Sequence, residues 1–458
     1  MSAGFGAKVA LARAVGAASR ASGRGGGTTL PGRLLLRLSP DAIAELGGGL
    51  RRGSTIVSAT NGKTTTAGMI SAALAADGRT PVHNRAGSNM TWGVATALLE
   101  QRGEEGLFEV DEAWLPKVAA QLDPGLIVLG NLFRDQLDRY GELETLADSW
   151  ALLVEERAGR TRFVLNADDP LIADLGRDRE QRPRPGVTYF GIEDPRHALP
   201  ELQHAHDAKH CRRCGQPYAY ERAFVGHLGH YSCLSCGARR PAPDVAATRI
   251  ELHGMRGSEV VVRTPEGELE LNLPLPGLYN VYNALAAIAA ALQLDVGAAS
   301  IKKGLEAMRA VFGRVETIDV EGKALSILLI KNPAGANEVL RTLRLEADGA
   351  GVDLWLALND GIADGRDVSW IWDADFELLA GAARRITCSG TRAPEMALRL
   401  KYAGLAPESI AVDERIDGSL ERALAAAEGE LFALPTYTAL LELRKLLARR
   451  GLAKEYWE

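Results

Sequence analysis

The stretch Thr55–Thr66 holds the residues whose types and spacing point most directly to chemistry. An apolar run leads into Thr60-Asn-Gly-Lys-Thr-Thr65, and a helical pattern follows. Backbone N–H groups of such a turn and the following helix N-terminus attract phosphate, and the lysine and threonine can reach the outer phosphates and Mg²⁺. The turn departs from the eight-residue Walker pattern because Val57 stands five places before Gly62, and a chance surface turn is the alternative. We predict an ATP site formed by Thr60, Asn61, Gly62, Lys63, Thr64 and Thr65.

Four of the five cysteines form two Cys-x-x-Cys pairs, each followed by glycine, with eighteen residues between the pairs. This spacing is typical of a zinc ribbon, in which four thiolates close a tetrahedral structural site. A redox or nucleic-acid role is the alternative. Cys388 is interpreted as a lone thiol in a core. The predicted zinc ligands are Cys211, Cys214, Cys233 and Cys236, and the neighbouring histidines, interpreted as solvent-facing, are His204, His206, His210, His227 and His230.

Strand-like segments alternate with helical patterns along most of the chain, which predicts a doubly wound parallel α/β sheet. Ligands of such sheets lie beyond the carboxyl ends of the strands. Asn166 and either Asp168 or Asp169 follow the predicted strand at 161–165, so we expect them to reach ribose or phosphates. Glu109 ends another strand, where a carboxylate favours Mg²⁺ ligation together with Thr64. Asp111 and Glu112 follow closely and could share that role. A solvated charge cluster formed by these carboxylates is the alternative.

Asn280 and Asn283 begin an alanine-rich helix and are three residues apart. This spacing places both amides on one helical face, where they could meet one partner such as an adenine edge. Taken alone, two asparagines at a helix start are more often caps. The residues themselves leave both interpretations open.

Composition limits the class of protein. The chain has 458 residues, 46% of them hydrophobic and 24% charged, with a net charge of -6, which fits two or three globular domains. An acidic balance argues against a general nucleic-acid binder. We find no apolar run of about 18 residues that would predict a transmembrane span, and no signal peptide. Cysteine usage of this kind favours a reducing compartment, so we expect a cytoplasmic protein.

The phosphate turn with Ala59 before it, and the segment Gly277-Leu-Tyr-Asn280-Val-Tyr-Asn283-Ala, resemble the Mur ligase and folylpolyglutamate synthetase superfamily. This resemblance implies that Asn280, Asn283 and Arg314 contact the nucleotide and that Glu109 ligates Mg²⁺. The chain departs from the motifs of this superfamily at three places. Tyr279 replaces a histidine, and Gln136 replaces a histidine that ligates a second metal ion. The block 332–337 lacks a lysine, although Lys331 stands next to it. Ligation of a second Mg²⁺ is therefore not expected.

Further motifs make the chain similar to the Mur-ligase-like subunits of lipid II isoglutaminyl synthase. They are Gly23-Arg-Gly-Gly-Gly-Thr-Thr-Leu-Pro-Gly, Asn131-Leu-Phe-Arg-Asp, the cysteine ribbon and Asp364-Gly-Arg-Asp-Val-Ser-Trp. The resemblance implies ATP-dependent amidation of the D-glutamate α-carboxylate in the lipid II stem peptide, through an acyl phosphate, with Lys63 stabilising the transferred phosphoryl group. It also implies that ammonia comes from a GatD-type glutaminase subunit in a heterodimer, and that Asp367, or else Asp364, completes a Cys-His-Asp constellation there.

Together these inferences predict an α/β protein with ATP, Mg²⁺ and Zn²⁺ as cofactors, lying in the cytoplasm at the inner face of the membrane. We expect a Mur-ligase-like central ATPase domain at 1–310, an inserted zinc ribbon at 205–243 and a Rossmann-like domain at 311–458 that contacts the glutaminase. Three alternatives remain: a ligase that adds an amino acid to a folate or peptide, a non-catalytic zinc-ribbon scaffold, and a nucleic-acid-binding ribbon.

Overall fold

The computed structural model describes residues 3–21, 29–84, 88–135, 143–178, 180–203, 206–308, 314–347, 349 and 351–453. Its strands, in chain order, are β1 (Ser54–Ser58), β2 (Val82–His83), β3 (Gly106–Glu109), β4 (Leu126–Leu129), β5 (Arg162–Asn166), β6 (Val187–Ile192), β7 (Ala219–Val225), β8 (Leu228–Ser232), β9 (Val245–Leu252), β10 (Ser258–Thr264), β11 (Gly267–Leu273), β12 (Arg314–Val320), β13 (Lys323–Leu328), β14 (Val352–Ala357), β15 (Ala383–Ser389), β16 (Ile410–Val412) and β17 (Leu431–Pro435).

The helices of the described residues connect these strands and cover the sheets. In chain order they are α1 (Ala3–Ala21), α2 (Leu30–Leu38), α3 (Ala42–Gly47), α4 (Lys63–Ala76), α5 (Thr91–Glu100), α6 (Leu115–Leu122), α7 (Leu143–Arg157), α8 (Pro170–Ala173), α9 (Leu278–Gln293), α10 (Ala298–Glu306), α11 (Pro333–Glu346), α12 (Ala393–Tyr402), α13 (Ile416–Ala426) and α14 (Tyr437–Arg449). Within the described residues, every helix is too short or too polar to cross a bilayer.

A nine-stranded sheet in the order β11-β10-β9-β6-β5-β4-β1-β3-β2 forms the first unit. The seven strands β9, β6, β5, β4, β1, β3 and β2 pair in parallel. The hairpin β10–β11 adds an antiparallel edge next to β9. The central strands β1, β3 and β4 are buried at every position because helices cover both faces. The predicted doubly wound sheet is confirmed, and the antiparallel edge extends it.

A six-stranded sheet in the order β12-β13-β17-β14-β15-β16 forms the second unit. Only β12 and β13 pair antiparallel, and the remaining pairs are parallel. Trp355 in β14 is fully buried and donates to Ser419 Oγ at 3.0 Å, which ties the sheet to α13. This unit agrees with the α/β unit expected near residue 311, while the predicted boundaries themselves stay a prediction.

The hairpin β7–β8 stands apart from both sheets and lies within the segment that holds the four paired cysteines. Its turn is Gly226-His227, and the flanking Val225 and Leu228 are buried. These residues pack into the core of the nine-stranded sheet together with Phe224. The hairpin therefore joins the cysteine segment to the first unit.

Candidate active site

The phosphate turn lies between β1 and α4, as the sequence predicts. Gly62 has a φ of 90°, which a residue with a side chain rarely adopts. A Cβ at this position would also come within 1.9 Å of Asn283 Oδ1. Glycine is therefore required twice, by the backbone conformation and by the approach of the asparagine.

Asn131, at the carboxyl end of β4, holds the first part of the turn. Its Oδ1 accepts from the Asn61 N–H at 2.9 Å, and its Nδ2 donates to the Asn61 carbonyl at 3.0 Å. The Thr60 hydroxyl accepts from the Phe133 N–H at 3.0 Å. These side chains shape the loop. The bonds from Asn131 to Asn61 depend on the pairing of strands that are far apart in sequence, so the sequence does not show them directly.

Lys63 is buried and bonded within the protein. Its Nζ donates to Glu112 Oε2 at 2.8 Å and to the Ala59 carbonyl at 2.5 Å. Burial disfavours the charged lysine, but Glu112 and Asp111 outweigh burial, so the pKa of Lys63 is raised. Burial likewise opposes the charge on Glu112, but Lys63 and Lys331 outweigh it, and the pKa of Glu112 is lowered. The two side chains form a buried ion pair beside the phosphate turn.

Glu109 is buried at the carboxyl end of β3, and its charge contributes to the raised pKa of Lys63. Both backbone groups of Glu109 bond to the Asn84 side chain, at 2.9 Å for the N–H and 2.8 Å for the carbonyl. Its carboxylate and the half-buried Thr64 hydroxyl are oxygen ligands of the kind Mg²⁺ prefers. The predicted pairing of these two residues around Mg²⁺ remains a prediction.

The structure separates the roles of the two asparagines on α9. Asn283 Oδ1 accepts from the Thr66 hydroxyl at 3.3 Å and lies against Gly62, so it borders the phosphate turn. Asn280 instead bonds to the Pro276 carbonyl at 2.7 Å and accepts from Asn283 Nδ2 at 3.0 Å. Asn280 thus positions Asn283, and only Asn283 lines the cleft.

A cleft separates the phosphate turn from the second unit. Asn61 and Asn332 exchange two amide hydrogen bonds across it, at 3.0 and 3.3 Å. Lys331 forms an ion pair with Asp135 beside them. Glu338 of α11 is buried at the cleft, and burial raises its pKa. The residues lining the cleft are Asn61, Gly62, Thr65, Asn131, Phe133, Val225, Leu228, Tyr279, Tyr282, Asn283, Leu328, Leu329, Lys331, Ala334, Gly335, Glu338 and Val339.

The expectation that Asn166 and Asp168 reach the nucleotide is not supported by their contacts. Asp168 is fully buried, and its carboxylate accepts from Arg240 at 2.6 Å, the Tyr282 hydroxyl at 2.6 Å and the Ile192 N–H at 2.9 Å. Asn166 bonds to the Gly130 carbonyl and to the Asp168 N–H. Both side chains hold strand ends together, so we correct their assignment to structural.

Two of the histidines interpreted as solvent-facing are buried, so that interpretation was wrong for them. His227 is fully buried at the hairpin turn, 3.4 Å from Asp169 Oδ2 and against the Phe133 ring. Neither of its ring nitrogens has a hydrogen-bond partner among the described residues. Burial lowers the pKa of the neighbouring His206 to about 4. His210 is exposed, His230 is half-buried, and His204 lies outside the described residues.

The four ribbon cysteines converge as predicted. Their sulfur atoms all lie within 4.8 Å of one another, with Cys211–Cys236 at 3.6 Å and Cys214–Cys233 at 3.4 Å. Four thiolates at about 2.3 Å from one Zn²⁺ would be roughly 3.8 Å apart, so the donor set fits this ion. Cys388 is buried as interpreted, and burial raises the pKa of its thiol to about 12.

The loop after β14 gives different surroundings to its aspartates. Asp364 is buried and caps α14, where it accepts from the Thr438 N–H at 2.8 Å, and burial raises its pKa. Asp360 bonds to Arg392 at 2.9 Å. Asp367 is exposed, and the Ser369 N–H, which donates to it at 2.8 Å, lowers its pKa. Arg314 begins β12, but its side chain lies outside the described part of the chain.

Comparison with known proteins agrees with this geometry. Residues 57–227 and 219–291 match the Mur ligase middle domain, and residues 329–440 match the MurT ligase C-terminal domain. A pseudomurein peptide ligase type C from Methanothermus fervidus has a similar fold, with a TM-score of 0.67, 23% identity, and coverage of 89% of this chain and 80% of that one. The fold and the phosphate turn thus define a Mur-type ligase.

Two relatives narrow the class. The chain is 33% identical to the lipid II isoglutaminyl synthase subunit MurT of Streptococcus pneumoniae, over 94% of each chain. It is 32% identical to the MurT subunit of Staphylococcus aureus strain N315, over 96% of this chain and 97% of that one. The chain therefore belongs to the MurT family, the ligase subunits of the glutamine-hydrolyzing lipid II isoglutaminyl synthases.

Proposed function

We propose that this protein is the synthetase subunit that amidates the D-glutamate α-carboxylate of the lipid II stem peptide, using ATP and ammonia. The similarity to MurT subunits along almost the whole chain carries this proposal. The phosphate turn supports it, because Gly62, Lys63 and Thr64 combine a helix N-terminus, a cation and a hydroxyl at one point. The product is D-isoglutamine within the stem peptide.

The reaction requires activation of a carboxylate, because its oxygen is a poor leaving group. Phosphoryl transfer from ATP gives an acyl phosphate and ADP, and ammonia then displaces phosphate to form the amide. Lys63 would exchange Glu112 for phosphate oxygens and neutralise charge on the transferring group. Thr64 and Glu109 would hold Mg²⁺, which supplies further charge neutralisation when bound.

Nucleotide recognition is assigned to the residues that border the cleft. Asn61 and Thr65 line the cleft, and Asn283 would contribute through its amide. Thr60 and Asn61 would contribute through the shape of the turn, because the N–H groups of both donate to Asn131. Asn280 acts through Asn283. Arg314 stays a proposed nucleotide contact by resemblance alone. Asn166 and Asp168 are left out because other groups of the protein occupy their hydrogen-bonding atoms.

A glutaminase subunit of the GatD type is the proposed source of ammonia. We assign Asp367 to its active site because this carboxylate is exposed, whereas Asp364 is held in the cap of α14. The Ser369 N–H favours the charged form of Asp367, which is the form that could orient a partner histidine. Exposed apolar side chains near this loop offer a contact surface, namely Ile362, Trp372, Leu398 and Tyr402.

Structural zinc and a position at the inner face of the membrane complete the proposal. The sulfur geometry fits a closed four-thiolate site, which leaves no coordination position for catalysis. A lipid-linked substrate requires the enzyme to work at a bilayer surface in the cytoplasm.

The test is amidation of lipid II by the chain copurified with its glutaminase, with glutamine and ATP. Lys63→Ala should reduce product formation by at least about 10³-fold, because the transferring phosphoryl group loses its cation. The same assay with ammonium chloride in place of glutamine should still give the amide in the wild type. Incorporation of free glutamate, with no amide formed, would instead identify an amino-acid-adding ligase.

A further inference from the structure

The first forty residues have a charge bias opposite to that of the whole chain. They contain six Lys or Arg residues and no Asp or Glu, whereas the chain carries a net charge of -6. Acidic residues begin again with Asp41 and Glu45. The six basic residues are Lys8, Arg13, Arg20, Arg24, Arg33 and Arg37.

Helices α1 and α2 carry much of this bias on a surface that is also apolar. Their inner sides, with Phe5, Val9 and Leu35, pack against Leu99 of α5. A surface helix normally turns a polar side to water, but the exposed side of α1 is mostly alanine and leucine. Leu11, Leu30 and Leu38 are 51%, 48% and 36% exposed. The exposed small and apolar residues of α1 are Gly4, Ala7, Ala10, Leu11, Ala14, Ala17 and Ala18.

A row of cations and indole rings continues this surface from α2 to α6. Arg33 lies over the Trp92 ring at 4.7 Å, Trp92 meets Trp114 edge-on at 5.4 Å, and Lys117 lies over Trp114 at 5.2 Å. Both tryptophans are half-buried. In the chain, Trp114 comes two residues after Glu112, which forms the ion pair with Lys63. The row therefore runs from α2 across Trp92 and Trp114 to Lys117 of α6.

From this arrangement we propose that the outer sides of α1 and α2, the basic N-terminal face, dock on an anionic lipid bilayer. The face comprises the basic residues Lys8, Arg33 and Arg37 with the apolar residues Leu11, Leu30 and Leu38. Arg13 is not included, because its Nε donates to the Leu99 carbonyl of α5 at 2.8 Å. This inference rests on the proposed function, in which the substrate is attached to a lipid.

The charge and polarity of the basic N-terminal face favour an anionic bilayer as its partner. An anionic leaflet attracts clustered Lys and Arg, and apolar side chains between them enter the boundary between headgroups and acyl chains. Long basic side chains can keep their charged ends in the headgroup layer while leucines insert. Half-buried tryptophans suit the same layer because the ring is apolar and the indole N–H is polar.

Vesicle flotation of the full chain in complex with its glutaminase tests the proposal. Vesicles of phosphatidylcholine with about 30% phosphatidylglycerol, and of phosphatidylcholine alone, are compared at low and high salt, without ATP or substrate. The wild type should bind the anionic vesicles, and binding should fall several-fold in about 0.5 M NaCl because salt screens exposed charges. Equal binding to both vesicle types, or binding to neither, would overturn the proposal.

Two variants separate charge from insertion. The double change Arg33→Gln with Arg37→Gln should weaken binding to anionic vesicles roughly twenty-fold, since each basic residue near such a surface contributes about a five-fold factor. Leu11→Ser with Leu38→Ser should weaken binding several-fold at every salt concentration. The matched control, Lys445→Gln with Arg449→Gln on α14, removes the same charge at exposed positions and should bind as the wild type does.

The outcome is independent of the proposed reaction, because vesicle binding is measured without turnover. The Arg33→Gln and Arg37→Gln variant should hydrolyse ATP and amidate a water-soluble stem-peptide substrate as the wild type does, while its rate on vesicle-bound lipid II falls. Thermal melting establishes that each variant is folded. A vesicle-binding defect shared by the α14 control would refute the assignment to the basic N-terminal face.

Discussion

Glu112 is the residue that most directly controls Lys63, because a nucleotide phosphate must compete with its carboxylate. In Glu112→Gln the lysine loses its ion-pair partner, and a negative charge leaves the phosphate site. We expect the KM for ATP to fall several-fold and the free energy of unfolding to drop by about 2 kcal/mol, as a buried charge loses its partner. Steady-state kinetics and denaturant unfolding measure the two effects.

The matched control is Glu105→Gln, which breaks the Arg79–Glu105 pair away from the cleft. It should reduce stability comparably and leave the KM for ATP unchanged. The pH dependence follows from the lowered pKa of Glu112. Its contribution to stability is present above the unfolded pKa of the carboxyl and is lost as pH falls through the lower folded pKa. The stability difference between wild type and Glu112→Gln should therefore shrink at acid pH, and a constant difference would argue against this ion pair.

Asp367 and Asp364 differ in surroundings, so their variants should differ in effect. Asp367→Asn should lower glutamine-dependent amidation by roughly 10³- to 10⁴-fold, because the partner histidine loses its orienting carboxylate. Activity with ammonium chloride should persist, since the synthetase site is intact. Asp364→Asn keeps an acceptor for the Thr438 N–H and removes a buried charge, so both activities should stay within about three-fold of wild type. The reverse pattern would exchange the two roles.

The ribbon hairpin is the element that connects the zinc site to the nucleotide cleft. Val225 and Leu228 flank its turn and line the cleft, while the cysteines lie beyond its other end. Cys214→Ser should lower the zinc content and the Tm, because a segment without a large core of its own loses its metal. It should also raise the KM for ATP, since the hairpin turn loosens.

Zinc analysis, thermal melting and ATP kinetics measure these effects. Cys388→Ala is the matched control, because this cysteine is buried in the second unit, away from the ribbon. It should keep the full zinc content and the wild-type KM for ATP. An unchanged KM after zinc loss would show that the hairpin turn holds its place without the metal.

At the scale of elements, sequence periodicity and local motifs were sufficient for much of the fold. The strand, turn and helix around Gly62 are contiguous, and the cysteine spacing encodes its own site. The errors arose where a side chain is defined by a distant element. Asp168 meets Arg240, 72 residues away, and the burial of His227 depends on where the hairpin packs. Polar residues at strand ends therefore do not reveal which ones face a ligand.

At the scale of the whole molecule, the two units meet directly over the phosphate turn. Asn332→Ser should loosen this contact while preserving the start of α11, because serine can also cap a helix. Loss of two hydrogen bonds that bridge the units should raise the KM for ATP about ten-fold, with little change in Tm. Asn272→Ser, an exposed position on β11, is the control and should change neither value.

The two hydrogen bonds between the Asn61 and Asn332 side chains also affect how quickly the enzyme can release its product and bind ATP again. The product ADP would leave through the cleft that these residues bridge. Each turnover therefore requires the hydrogen bonds between Asn61 and Asn332 to break and form again. Product escape then depends on movement of one large body against another, which is slowed by friction with the solvent. Added glycerol or sucrose should accordingly depress kcat in the wild type more than in Asn332→Ser.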